Sequence, residues 1–369
     1  SRPGDFKTIA LNLSEFGDLR FSLLVKVNDI VKIGDPLAED RSTLGRAFVS
    51  PAAGTVIEIR RGLKRSLIDI IIEVAPQETI KKFEPLDPAK ASQQEIIERW
   101  LLGGGFSRIR IRPFDLLAKP SPSPRSIFIK AVESLPFYPP AEFQVQGHET
   151  LFQAGINGLK RLTAGPIHLV SQQDSSFFKQ FNNVVHHSVV GPHPSANVSL
   201  HIQEIDPILS ASDVIWTLNA HDVVVLGSLL IKGEYFTERV IGIGGPACVP
   251  DQTGYFKTRE GMPIEALIVG RLPHGDKTLR IISGDVLTGT KVDSDDYLGF
   301  NDYALVILQE NNERELLHFF RLGTNKFTNS RGYLSSLFNR SKQLFDFNTN
   351  QHGEERPIMD SSQYDKVMP

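Results

Sequence analysis

A chain of 369 residues has room for two or three domains, each with a core of its own. Its 40 Lys+Arg against 43 Asp+Glu leave a net charge of −3, which argues against a nucleic-acid binder; the densest basic cluster is Arg60-Arg61 with Lys64-Arg65. The single cysteine, Cys248, excludes an intrachain disulfide, a zinc ribbon and an iron–sulfur cluster, and points to a reducing, cytoplasmic setting. Apolar runs of about five residues fall far short of the ~20 that span a bilayer. The chain opens on Ser1 rather than Met, shows no signal peptide, and reads as a trimmed piece.

Residues 1–20 are mixed and carry no clear pattern. From Phe21 short β runs alternate with turns: FSLLVKV and IVKIGDPLAED, then RAFVSPAAGTVIEIRRG and LIDIIIEV. Two halves of one design at this spacing predict a small barrel-sandwich module of the lipoyl or biotinyl kind over 21–75. Carriers of that kind present a lysine on the hairpin between the halves. Glu39-Asp40-Arg41 stands there instead, so the module reads as structural rather than as a swinging arm. A helix-and-linker region, 76–125, follows. Ser92-Gln-Gln-Glu95 is a capping box, Ile96, Ile97, Trp100 and Leu101 form an apolar face, and Gly103-Gly104-Gly105 ends the helix. In SRIRIRPFDLLAK, Arg108, Arg110 and Arg112 recur at period two on one side of a strand. Two readings stand: a solvated edge-strand face, or an anion or partner-protein contact with Phe114 as its apolar anchor.

Residues 126–250 predict a Rossmann-like α/β domain. SIFIKAV is a strand and 149–162 a helix whose Leu151, Phe152, Gly155, Ile156, Leu159 and Leu162 face inward; IHLV and VVHHSVV are further strands. DVIWTL, the apolar stretch capped by Asn219 and Asp222, and TERVIGI read as strand, buried helix and strand, a βαβ unit with Gly233 stopping the helix. The glycine fingerprint of a dinucleotide site is missing: Leu135 to Pro140 is proline-rich, and Gly242-Ile-Gly244-Gly245 precedes a proline, not a helix. His193, between Pro192 and Pro194, and His201 have a spacing that metals use, but no third ligand lies nearby, and of His186 and His187 only one can face inward. Structural histidines hydrogen-bonded to backbone are the better reading.

From 251 to 321 the mixed β content, LIVGRLP, KTLRIISGDVLTGT and YALVILQE, with a short helix near Pro263 to Val269, predicts a β-grasp (ubiquitin-like) domain. ISGDVLTGT does not place Thr288 for flavin attachment and reads as a tight turn. The tail, 322–369, reads as an extended strap with one amphipathic helix, Tyr333 to Phe338.

SPAAGTVIEIRRGLKRSLIDIIIEV (50–74), RIRPF (110–114), GPHPS (191–195), LGSLLIKGEYFTERVIGIGGP (226–246), RIISGDVLTGTK (280–291) and LGTNKFTNSRGYLSSLF (322–338) together resemble the A-subunit family of the Na+-translocating NADH:quinone oxidoreductases. A more distant similarity runs to the C subunit of the Rnf complex and the flavoprotein subunit of complex I. The resemblance implies a peripheral subunit on the cytoplasmic side of the bacterial inner membrane. Its complex passes electrons from NADH to ubiquinone and exports Na+, and its partners are the other subunits, the membrane ones included. It implies no redox cofactor in this chain, NADH and flavins in other subunits, and ubiquinone as a candidate contact. Two departures stand out: Ala196 occupies a position where a glycine is expected, and the family's C-terminal helical domain is expected beyond Pro369. The alternative is a stand-alone flavin or nucleotide oxidoreductase built from the same domains. A quinone head needs a donor for each carbonyl and an apolar wall, and RIRPFD offers both, with Arg110 or Arg112 as donor and Phe114 as the wall. No catalytic, metal or cofactor-binding residue is expected.

Overall fold

The computed structural model describes residues 6–210, 212–273, 278–312, 322–328, 332–337, 348–350 and 352–353. Seven strands open it: β1 (Thr8–Asn12), β2 (Phe21–Leu23), β3 (Ile30–Val31), β4 (Pro36–Asp40), β5 (Ala47–Val49), β6 (Gly54–Arg61) and β7 (Leu67–Val74). They make two antiparallel sheets, ordered β1-β7-β6-β3 and β2-β4-β5, which close on one core containing Leu11, Leu37, Phe48, Val56 and Ile70. The stretch read as patternless supplies β1, and Ile9, Ala10 and Leu11 are fully buried against β7. Five residues between polar neighbours are too few to show a period, so only the pairing reveals that strand.

α1 (Gln93–Leu102) carries its capping box as expected: Ser92 Oγ accepts from Glu95 N and the Glu95 carboxylate from Ser92 N. The second sheet then runs through β8 (Arg110–Arg112), β9 (Leu116–Leu117), β10 (Ser126–Ala131), β11 (Ile167–Gln172), β12 (Val185–Val189) and β13 (Ile215–Asn219). Its order is β12-β11-β10-β13-β8-β9, with the first four strands parallel and β8 antiparallel to β13. α2 (Glu142–Val145) and α3 (Glu149–Leu162) link β10 to β11, α4 (Val198–Ile205) links β12 to β13, and α5 (Ala220–Ile231) follows β13. One face of the sheet, with Ile127, Ile129, Leu169, Trp216 and Leu218, is covered by α1, α3 and α5. The other, with Phe128, Val170 and Ile215, is covered by α4.

Every residue of α5 from Ala220 to Leu230 is buried. Glycines let α3 and α5 touch backbone to backbone. A Cβ on Gly227 would lie 1.8 Å from Leu151 O, and one on Gly155 2.2 Å from Val223 O. Gly233, at φ 68°, ends the helix region as anticipated.

The expected βαβ unit does not form. β14 (Glu238–Gly244) leaves the second sheet and joins β15 (Gly254–Arg259), β16 (Leu279–Ser283), β17 (Thr290–Val292) and β18 (Ala304–Gln309) in the order β15-β14-β18-β16-β17, parallel only between β14 and β18. After Gly233 the chain crosses to Arg259 and Ala304 rather than back to β13, a choice between partners that no local pattern encodes. α6 (Ile264–Ile268) packs under this sheet. LIVGRLP is therefore not a strand: its first two residues end α6 and the rest is turn. Of the tail, Leu334–Leu337 form one 3-10 turn and Thr349 N donates to Gln309 O at the end of β18. Phe338, and most of the strap read from sequence, lie outside the described residues.

Candidate functional site

β10 and β13 are parallel neighbours, yet the chain leaves β10 toward β11 and reaches β13 from β12. Connections that depart to opposite sides open a crevice at the carboxyl ends of such a pair. A cleft of about 490 Å³ lies there. Lys130 comes from the end of β10; Thr217, Asn219 and Asp222 from the β13–α5 corner; His193, Ala196, Asn197 and Val198 from the approach to α4; and Arg110, Arg112 and Asp115 from β8 and its turn. Glu15 reaches in from the first unit, and Thr288 and Asn301 from the third.

Four cations and four carboxylates line the cleft, and they pair. Arg110 Nη2 lies 2.5 Å from Glu15 Oε1, which also accepts from Asn301 Nδ2 at 2.6 Å. Arg112 lies 3.2 Å from Asp115 and donates to Ser199 Oγ at 3.3 Å, while Lys130 lies 2.9 Å from Glu133. Arg108, at the floor, is fully buried: it donates to Asp222 at 3.3 Å, to Tyr235 Oη at 2.6 Å and to the Glu260 carboxylate. Burial raises the pKa of Glu15 against the opposing pull of Arg110, raises that of Asp222 against Arg108, and lowers that of Arg112.

The positions where an anion would seat are filled from within. Glu133 Oε1 accepts from the N–H groups of Ser134 (3.0 Å) and Leu135 (3.3 Å), in the turn where a glycine-rich loop would cradle phosphate. Asp222 caps α5 by accepting from Asn219 N at 2.9 Å, and Asn197 caps α4 by accepting from Ser199 N at 2.9 Å. Beside the cleft, sharing Lys130, Glu133, Leu135, Asn219 and Asn301 with it, a smaller cavity of about 160 Å³ reaches between Val132, Tyr138, Pro139, Ala141 and Tyr303. His221, on its wall, donates from Nε2 to Glu238 O; burial, then the nearby Arg239 and Arg108, push its pKa well down and hold it neutral.

Of the residues singled out from sequence, Arg110 and Arg112 line the cleft together, and Phe114 does not. It stands on the β8–β9 turn, 80% exposed. The solvated edge-strand reading of the three arginines fails at both ends: β8 is flanked by β13 and β9, and a bend before it turns Arg108 into the interior. His193 reaches the cleft, with Nδ1 3.2 Å from Ser134 Oγ; His201 and His186 bond backbone carbonyls, as structural histidines should. Among the described residues no group of three His, Cys, Asp or Glu could hold a metal ion. Sequence reading missed Glu15, Asn301 and Lys130. The last left a trace, a lysine interrupting the apolar run SIFIKAV at its carboxyl end.

Compared with known proteins, the chain is 34% identical over 371 residues to the A subunit of the Na(+)-translocating NADH-quinone reductase of Chlamydia caviae, covering 98% of this chain and 78% of that one. The chain belongs to the NqrA family. The Chlamydia muridarum protein of the same name is 35% identical over 97% of this chain and 79% of its own length, and the Vibrio parahaemolyticus one 34% identical over 98% and 80%. Three NqrA family models match: the N-terminal barrel-sandwich hybrid domain over 2–75, the second alpha/beta domain over 91–235 and the C-terminal domain over 240–294. The NqrA barrel-sandwich match corresponds to the two closed sheets of β1–β7. No helix among the described residues is long and apolar enough to cross a membrane.

Proposed function

We propose that this NqrA chain serves the Na+-translocating NADH-quinone reductase as its peripheral NqrA component, on the cytoplasmic face, and offers the quinone head a polar cleft. NADH and flavins are assigned to other subunits, and ubiquinone is the contact assigned here. The membership supports the first part: the relatives carry this name over nearly the whole chain. The observation that carries the second is the charge balance of the cleft. Four cations meet four carboxylates, and the helix and turn N–H groups are already occupied, so no surplus positive charge awaits a phosphate. A neutral head with two carbonyls suits such a lining. Arg110 and Arg112 are the donors, and the Arg112 Nε–H is buried with no hydrogen-bond partner among the described residues. The adjoining cavity of Val132, Tyr138, Pro139 and Tyr303 supplies apolar surface for the ring. Phe114, outside on the lip, is assigned to the quinone tail or a partner protein of the complex.

The strand orders support reading the second unit as Rossmann-like and the third as β-grasp, with the first a lipoyl-type barrel without its lysine. In that reading the unit borders fall near 75, 91, 235 and 240, with β14 in the third unit.

The test is Arg110→Ala, Arg112→Ala and Phe114→Ala in the intact complex, each checked first for full assembly. Loss of one buried donor weakens quinone binding by about 1–3 kcal/mol, roughly five- to 150-fold. Assembled arginine variants with unchanged apparent quinone affinity would sink the proposal.

A further inference from the structure

Beneath α4, on the sheet face opposite α5, two histidines meet on neighbouring strands, and a third lies on the buried side of α4, near enough for the charge of one to be felt by it. His168 of β11 and His187 of β12 sit on paired parallel strands, with His168 Nδ1 2.9 Å from His187 Nε2. The His168 ring is buried against Phe128, their centroids 4.6 Å apart. His201, on the inner side of α4 and 4% exposed, donates from Nε2 to Ser195 O at 2.7 Å. His201 Nδ1 and His168 Nε2 are both buried with no hydrogen-bond partner among the described residues. A bare lone pair there costs little. A proton would make each a buried N–H with no acceptor, and a charge besides.

The surrounding groups only partly offset this: Asp206 raises the His168 pKa and the Ser195 carbonyl that of His201, and burial outweighs both. Asp206, at the end of α4, faces His168, but Arg125 at 3.0 Å and Ser126 Oγ at 2.6 Å already hold its carboxylate. Lys130 faces His201 with its charge turned to Glu133, and His186 stands next to His187 on the far side of the strand. His187 is half-buried, so protons enter through it.

We propose that these three histidines form a proton-operated latch: neutral, they hold α4 on the sheet, and on acidification they release it and open the cleft wall that α4 carries. That wall is real, since Asn197 and Val198 at the start of α4 and His193 and Ala196 before it line the cleft. Burial, first of all, lowers the pKa of each of the three rings; His187 lowers His168 further, Lys130 and then His187 lower His201, and His186 lowers His187. The released state takes up protons with the ordinary histidine value of about 6.5, and the packed state resists them. Packing of α4 is therefore complete above about pH 6.5 and is lost as pH falls below it. The latch does not depend on what occupies the cleft.

Hydrogen exchange by mass spectrometry on the whole chain reads it directly. After correction for intrinsic exchange rates, protection of peptides spanning 198–205 should fall between pH 7.5 and pH 5.5, by about tenfold for each ring kept neutral in the packed state. Peptides of α3 and α5 should keep theirs. His187→Gln, which keeps a hydrogen-bonding side chain at the solvent side, should remove one such tenfold step. Titration of ring-labelled histidines by NMR in the unmodified protein gives a second reading, with all three rings below 6.5. The latch is overturned by α4 protection that does not change with pH, by a loss shared equally with α3 and α5, by an unaltered profile in His187→Gln, or by these rings titrating at or above 6.5.

Discussion

Arg108 and its neighbours Arg110 and Arg112 share one short run, Arg-Ile-Arg-Ile-Arg, and meet opposite fates. Arg108 is fully buried among Asp222, Tyr235 and Glu260 and clamps the second unit to the third. Arg110 and Arg112 keep part of their surface in the cleft and hold single carboxylates, Glu15 and Asp115. The same guanidinium is thus a structural tie where water is excluded and an available donor where it is not. Desolvation decides between the two. A buried pair whose partner is removed leaves a charge with nothing to answer it, whereas a partly exposed pair hands its partner back to water.

The largest effect expected from that contrast is on stability. Arg108→Met strands Asp222 and Glu260 in the interior and should cost about 3–5 kcal/mol in denaturant unfolding. Arg110→Met, by contrast, should cost less than about 1 kcal/mol. Adding Asp222→Asn and Glu260→Gln to Arg108→Met should recover much of the loss; if it does not, packing rather than charge holds that corner.

A buried carboxylate without so complete a partner sharpens the same point. Asp69 on β7 is 2% exposed, accepts from Asn12 Nδ2 at 2.9 Å, and has its pKa pushed up to about 6, chiefly by burial. An exposed aspartate sits near 3.9. Between those values the folded protein holds a proton that the unfolded chain has lost. The stability Asp69 lends is whole below about pH 4 and fades as pH rises through 6. Asp69→Asn should flatten that part of the stability–pH curve, a change on the order of 2–3 kcal/mol between pH 4 and pH 7. Equal slopes for both proteins over that range would refute the assignment.

Smaller again is the expected effect at the lip. Phe114→Ser should leave unfolding within about 0.5 kcal/mol of the parent, since its ring is 80% exposed. A larger loss would show that the turn is held by its aromatic ring after all, and would move Phe114 to the Arg108 side of the comparison.

What the sequence revealed follows the same division between local and distant causes. α1 and α5 were legible because caps and glycine stops act within a few residues: Ser92 with Glu95, Asn219 with Asp222, and Gly233. α3, which has no side-chain cap, was legible from the helical spacing of Leu151, Phe152, Ile156, Leu159 and Leu162. β1 and the allegiance of β14 were not, because pairing with the distant β7 or β18 leaves no mark on the strand itself. Arg110 and Arg112, named from sequence as candidate quinone donors, do line the cleft together, whereas Arg108 was misjudged, because period two assumes a strand where a bend intervenes. Glu15 and Asn301, some 286 positions apart and bonded through one carboxylate oxygen, lie beyond any window of sequence.

That last bond also fixes an order of events on the ribosome. The strands of the first unit are complete at Val74, and a unit of this size can fold while the rest of the chain is still being made. Glu15 then waits for most of the remaining chain. It meets Arg110 as the second unit forms and Asn301 only when the third has emerged, and β14 lies unpaired toward β18 until that same moment. The cleft is consequently complete only once translation has passed Asn301, well after the strands of the first unit and before the Thr349–Gln309 bond can form.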